Sequence, residues 1–173
     1  MDYLSLVLKD MKALKKNGSK TIDRLNLAQL MHKPSTESNS LADIVKHLHG
    51  NMLSRWTDFL TADGEKDWRN RDEEFQACFS SKEEVIKLWD EGWKLTLNTI
   101  EDLNEGDLKK KIQIRGEDQS VVEAIQRQLV HYASHVGQMM YVGKMILNEN
   151  WESLSIPKGK SDEFLKVKLN QNR

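Results

Sequence analysis

Proline is almost absent from this chain, and that constrains its fold more than any other feature. Only Pro34 and Pro157 occur, at the two edges of a long periodic region. Proline removes a backbone donor and collides with the preceding turn, so it ends helices. Nothing between these two residues does so, and helices there can run to full length. Apolar residues recur with the roughly 3.6-residue period of a helix that buries one face. Leu4, Val7, Leu8, Met11, Leu14 and Ile22 mark a first helix from Tyr3 to about Leu25, with a short turn of helix expected at Leu27 to Met31.

A polar connector, His32 to Ser40, follows. Ser40, with Asp43 three positions on, predicts the N-cap of a second helix. Its stripe of Leu41, Ile44, Val45, Leu48, Met52, Trp56 and Phe59 predicts an end near Ala62-Asp63-Gly64. The connector from Gly64 to about Ser80 is long for a compact bundle, and long connectors often carry function. Ser81-Lys82-Glu83-Glu84 opens a third helix to about Leu103. Lys111 to Ile114 reads as extended, and Arg115 to Asp118 as a turn. The fourth helix runs from about Ser120 to Leu147, and the polar tail after Trp151 reads as irregular. The expectation is an all-α protein, a four-helix bundle in one domain over residues 1–173 with its core at about 1–147.

The bulk numbers exclude several classes. Among 173 residues, 26 basic and 27 acidic side chains leave a net charge of -1, and the two signs are interleaved. No basic block marks a nucleic-acid footprint. No apolar run approaches the ~18 residues of a membrane span. The N-terminal stretch lacks the basic start and apolar core of a signal peptide. One cysteine, Cys78, leaves no internal disulfide. The expected location is cytoplasmic, with no nucleic-acid and no membrane partner.

The chemistry-bearing feature is His131 and His135 in Gln128-Leu129-Val130-His131-Tyr132-Ala133-Ser134-His135-Val136-Gly137-Gln138. Residues four apart stand one above the other on a helix, with Cβ atoms ~5–6 Å apart. On a helical wheel both histidines share a stripe with Ala124, Gln128, Gln138 and Val142, at the edge of the apolar face. Two imidazoles there can bind one divalent ion, and a catalytic site usually takes a third protein ligand. The second helix offers His47 and His49, on opposite borders of its apolar stripe, and the wheel does not choose between them. His32, in a connector, is the weakest candidate. Asn51, one turn beyond His47, can orient a ligand. Arg55, Arg69, Arg71 and Arg115 are candidate anion clamps or partners for Asp72, Glu73, Glu74 and the acidic third helix. Gln128 and Gln138 flank the pair as hydrogen-bond partners. Cys78 reads as a packed small residue.

The run His131-Tyr132-Ala133-Ser134-His135-Val136-Gly137-Gln138 resembles the last core helix of the DinB/YfiT-like superfamily, in which two histidines four apart precede a Gly-Gln step. Ser40-Leu41-Ala42-Asp43-Ile44-Val45-Lys46-His47-Leu48 resembles that superfamily's other motif, a serine-capped helix carrying a histidine followed by leucine. The Trp68-to-Phe75 connector and the Ile156-to-Ser161 tail are similar to a functionally uncharacterised bacterial branch. The resemblance implies a four-helix bundle, frequently a homodimer, with a divalent ion such as zinc or nickel on His47, His131 and His135. His49 has no counterpart in the motif. Some superfamily members are thiol transferases, so the resemblance implies a metal-dependent transferase using a thiol such as bacillithiol, or a hydrolase, acting on a small molecule. A non-catalytic, stress-associated metal-binding dimer and a purely structural bundle are the alternatives.

Overall fold

The computed structural model describes residues 2–171; the expected span of 1–173 therefore includes Met1, Asn172 and Arg173, which lie outside the described residues. Four long helices form the body: α1 (Tyr3–Asp23), α3 (Leu41–Trp56), α4 (Lys82–Glu101) and α5 (Val121–Leu147). A single turn, α2 (Leu27–Leu30), follows α1. A two-stranded antiparallel hairpin, β1 (Lys111–Ile114) and β2 (Glu117–Ser120), joins α4 to α5. The fold is all-α apart from this hairpin. No helix among the described residues is long and apolar enough to cross a membrane.

Serine caps set the starts of three of these helices, because each hydroxyl satisfies a backbone N–H that has no partner within the helix. Ser40 accepts from the Asp43 amide while Asp43 reaches back to the Ser40 amide, and Ser120 and Glu123 do the same for α5. Ser81 caps α4 by accepting from Glu84. Asp43 serves twice: its other oxygen accepts the Ala77 N–H at 2.9 Å and ties the long connector to the head of α3.

The helices α3 and α4 pack against one another, and α1 covers α4 and α5. Trp56, Trp93 and Tyr132 are the bulkiest fully buried side chains at the centre. Trp93 meets Tyr132 edge-on at 5.5 Å. The Trp56 indole donates to the Tyr132 hydroxyl at 2.9 Å, and that hydroxyl donates to Asn51 Oδ1 at 3.2 Å. The polar edges of Trp56 and Tyr132 are thereby satisfied inside the core, whereas the Trp93 indole N–H is buried without a partner.

Three expectations from the sequence are corrected. Helix α3 ends at Trp56, not near Gly64, because Thr57 is extended and Asp58 takes a left-handed φ of 51°. Phe59 continues the apolar stripe because it packs on Trp56 after the chain has turned, with centroids 4.8 Å apart. The reading of Arg115 to Asp118 as turn is too long: Arg115 and Gly116, at φ 58° and 74°, form the two-residue loop, and pairing resumes with Ile114 opposite Glu117. Two successive positive φ values match the twist of a tight hairpin. The tail contains α6 (Ser161–Gln171), whose residues are all exposed.

Gly18 of α1 lies against the Trp89 indole, which is held by a 2.9 Å bond to Ser19. A Cβ at that position falls inside contact distance of the ring. Gly18→Ala is expected to destabilise the fold by about 1–3 kcal/mol through overpacking. Gly137→Ala is the control: its Cβ meets nothing, and the substitution is expected to be neutral or stabilising by up to about 1 kcal/mol. Thermal unfolding of the two variants measures both effects.

Candidate metal centre

Helix geometry puts His131 and His135 on one side of α5, and the packing of α3 brings His47 opposite them. One ring nitrogen from each of the three lies within 4.8 Å of the others. His47 is 3 % exposed, and the other two are partly buried. The Nε2 atoms of His47 and His131 are 3.2 Å apart. Two nitrogens at ~2.0–2.1 Å from a tetrahedral zinc stand about 3.3 Å apart, so this pair matches the bite of one ion.

Hydrogen bonds prepare two of the rings. His47 Nδ1 donates to Glu74 Oε2 at 2.8 Å, which leaves the Nε2 lone pair facing the other imidazoles. His135 Nδ1 donates to Gln138 Oε1 at 2.8 Å, with the same consequence. Such partners fix the tautomer and raise ligand basicity. His131 Nδ1 is buried and has no partner. Burial first, then the neighbouring His135, His47, Arg69 and Arg55, push the His131 imidazolium down to about 3. Burial also lowers His135, against the opposing bond from Gln138. His131 and His135 are therefore suited to donate neutral nitrogen to a divalent cation, and with His47 Nε2 the cluster can hold a metal ion.

Glu74 is the residue that sequence reading placed only among possible ion-pair partners. It lies on a one-turn 3-10 helix, Asp72–Phe75, within the long connector. Burial raises its carboxyl, but bonds from His47 and Arg69 outweigh that and hold it below the ordinary carboxylate range. Arg69 grips it with both prongs, Nε to Oε1 at 2.8 Å and Nη2 to Oε2 at 2.9 Å. Phe75 stacks on the His47 ring at 4.6 Å. Gly50, one turn from His47, leaves room for the acid: a Cβ there would stand 2.8 Å from Glu74 Cδ. The length of the connector was the available signal; which of its acids turns inward was not readable.

Other expected residues fall as follows. His49 is on the far side of α3, 3.5 Å from Glu91, and His32 is exposed; neither joins the cluster. A cavity of about 160 Å³ opens beside His47 and His131, lined by Asn51, Gln128 and the arginines 55, 69, 71, 115 and 127. Arg55, Arg69 and Arg115 pair with Glu65, an acid absent from the expected partners. Cys78 is exposed, not packed, and does not line the cavity.

The fold resembles solved structures. A conserved protein from Enterococcus faecalis superposes with a TM-score of 0.66 at 14% identity, covering 85% of this chain and 98% of that one. A DinB-like protein from Bacillus subtilis gives 0.65 at 14% identity, covering 87% and 96%. No curated protein matches. A family model described as "Protein of unknown function (DUF1572)" matches residues 1–160.

The lowered histidines carry a pH signature in the metal-free protein. In the unfolded chain each imidazole takes its proton near 6.5, whereas folded His131 resists until about 3. Across that window the unfolded state binds more protons, so stability falls as pH falls. Glu74 acts in the same direction, since its stabilisation is lost as pH drops through its folded value. The urea midpoint is expected to decline from about pH 7 to about pH 5, less steeply in His131→Gln. An equal decline in that variant contradicts the assignment.

Proposed function

The chain belongs to the DUF1572 family of unknown function, and we propose that it is a DinB-like, metal-dependent enzyme acting on a small molecule. His47, His131 and His135 hold one divalent ion, zinc or nickel, and the reaction is thiol transfer or hydrolysis. The observation that carries this reading is the convergence of three imidazoles, two with their tautomers set by Glu74 and Gln138, next to a cavity. A closed structural site would instead present a fourth protein ligand, and no further His, Cys, Asp or Glu joins this cluster among the described residues.

A divalent ion on three neutral imidazoles supplies Lewis acidity, lowering the pKa of a water or thiol at an open position. The protein's own groups do the rest. Glu74 keeps His47 aimed, and Arg69 keeps Glu74 in place. Asn51 is itself fixed by the Tyr132 hydroxyl and presents its amide to the cavity. Gln128 offers a buried Oε1 with no partner, an acceptor for a substrate N–H or O–H. The exposed Cys78 lies outside this arrangement, so the thiol is a soluble one such as bacillithiol. In the transfer, the thiol gives up its proton to solvent and its sulfur bonds to an electrophilic carbon, while the bond from that carbon to the leaving group breaks and the leaving group departs with the electron pair.

Elemental analysis after loading with zinc or nickel tests the centre. One ion per chain is expected, with loss of most of it in His135→Ala. Glu74→Gln is expected to weaken affinity by about 10–100-fold. Unchanged ion content in His135→Ala overturns the metal assignment. Turnover of an electrophilic arene with bacillithiol is expected only in the loaded protein, and equal rates without metal overturn the transferase.

A further inference from the structure

Five guanidinium groups around one small cavity require an explanation. Arg55, Arg69, Arg71, Arg115 and Arg127 come from α3, the connector, the hairpin loop and α5, and they line the same space beside His47 and His131. Two carboxylates face them. Glu65 pairs with Arg55 at 3.0 Å, Arg69 at 3.4 Å and Arg115 at 2.8 Å, while Glu74 pairs with Arg69 and is shared with His47. Arg71 and Arg127 have no carboxylate partner among the described residues; Arg71 lies over the Phe75 ring at 5.5 Å. The positive charge is therefore undercompensated within the protein.

The arrangement is also built rather than a loose surface patch. Arg55 is 4 % exposed, and its Nε is buried without a hydrogen-bond partner. The Arg69 side chain is 2 % exposed. Arg115 stands on a loop whose two amides, Arg115 and Gly116, are both taken by Asp63 at 2.8 and 2.7 Å. Holding like charges together in a partly desolvated space costs free energy unless an opposite charge joins them. Guanidinium forks match the paired oxygens of carboxylate and phosphate. A volume of about 160 Å³ admits a headgroup the size of about five waters, not a polymer.

We propose that this arginine-lined cavity is an oxyanion subsite that binds the carboxylate or phosphoryl group of a small-molecule substrate and places the remainder of that molecule beside the three histidines. The placement rests on the metal-site reading above; the oxyanion contacts do not. Arg71 and Arg127, the unpaired and exposed members, make the contacts that close over the ligand.

Calorimetric titration of the full chain, metal-free and zinc-loaded, with inorganic phosphate and with malonate tests it. Saturable binding of at least one probe at one site per chain is expected in the metal-free protein, and added sodium chloride is expected to weaken it. The Arg71→Ala/Arg127→Ala double variant is expected to bind at least about tenfold more weakly and to retain its zinc. Preference for phosphate or for malonate assigns the headgroup as phosphoryl or carboxylate. No saturation by either probe, or equal affinity in the double variant, overturns the subsite even where zinc binding holds. If the chain fails to take up zinc while the anion saturates, the histidine reading falls and the subsite stands.

Discussion

The buried carboxylate of Glu74 is the point on which the site depends. It accepts from His47 of α3 and from both prongs of Arg69 in its own connector, so helix and connector meet on two oxygen atoms. Removing one partner of such a pair leaves a charge buried without compensation, which costs far more than the pair contributes. The long connector is therefore held against α3 by the same contact that orients one ring of the histidine cluster. Gly50 is part of that arrangement, because only a residue without a side chain lets the acid approach the helix so closely.

Helix α5 serves core and site with adjacent residues. Tyr132 is fully buried and bonded to Trp56 and Asn51, while His131, the preceding residue, faces the cluster. The rotation of about 100° per residue makes this division possible. Packing at Tyr132 thus sets the orientation of α5, and with it the positions of both histidines. Asn51 extends the same coupling, since it takes the tyrosine hydroxyl and lines the arginine-rich cavity. A core contact therefore stands directly behind the groups that line the cavity.

Much of the fold was legible because helix formation is local. Ser40, Ser81 and Ser120 marked three starts, and each caps in the structure. The end of α3 was not legible. Phe59 keeps the apolar spacing and is buried, so its pattern looks helical although the backbone has already turned at Thr57 and Asp58. The tail helix α6 was missed because it buries nothing, and periodicity reports burial. At the site, Gln138 was readable from its position beside His135, whereas Glu74 competed with Asp72 and Glu73 in one acidic run.

Amino-acid order alone determined four amphipathic helices and the stacking of His131 over His135, because a spacing of four residues is a property of one helix. Helical spacing left His47 and His49 open and only the family resemblance favoured His47; the tertiary structure brings His47 to the cluster, since both border the apolar stripe of α3 and only the side packed toward α5 can reach it. It also decided which connector acid turns inward and that five arginines from separate elements share one cavity. Those are distances between elements, and they are set by how faces pack and by where buried charges find partners.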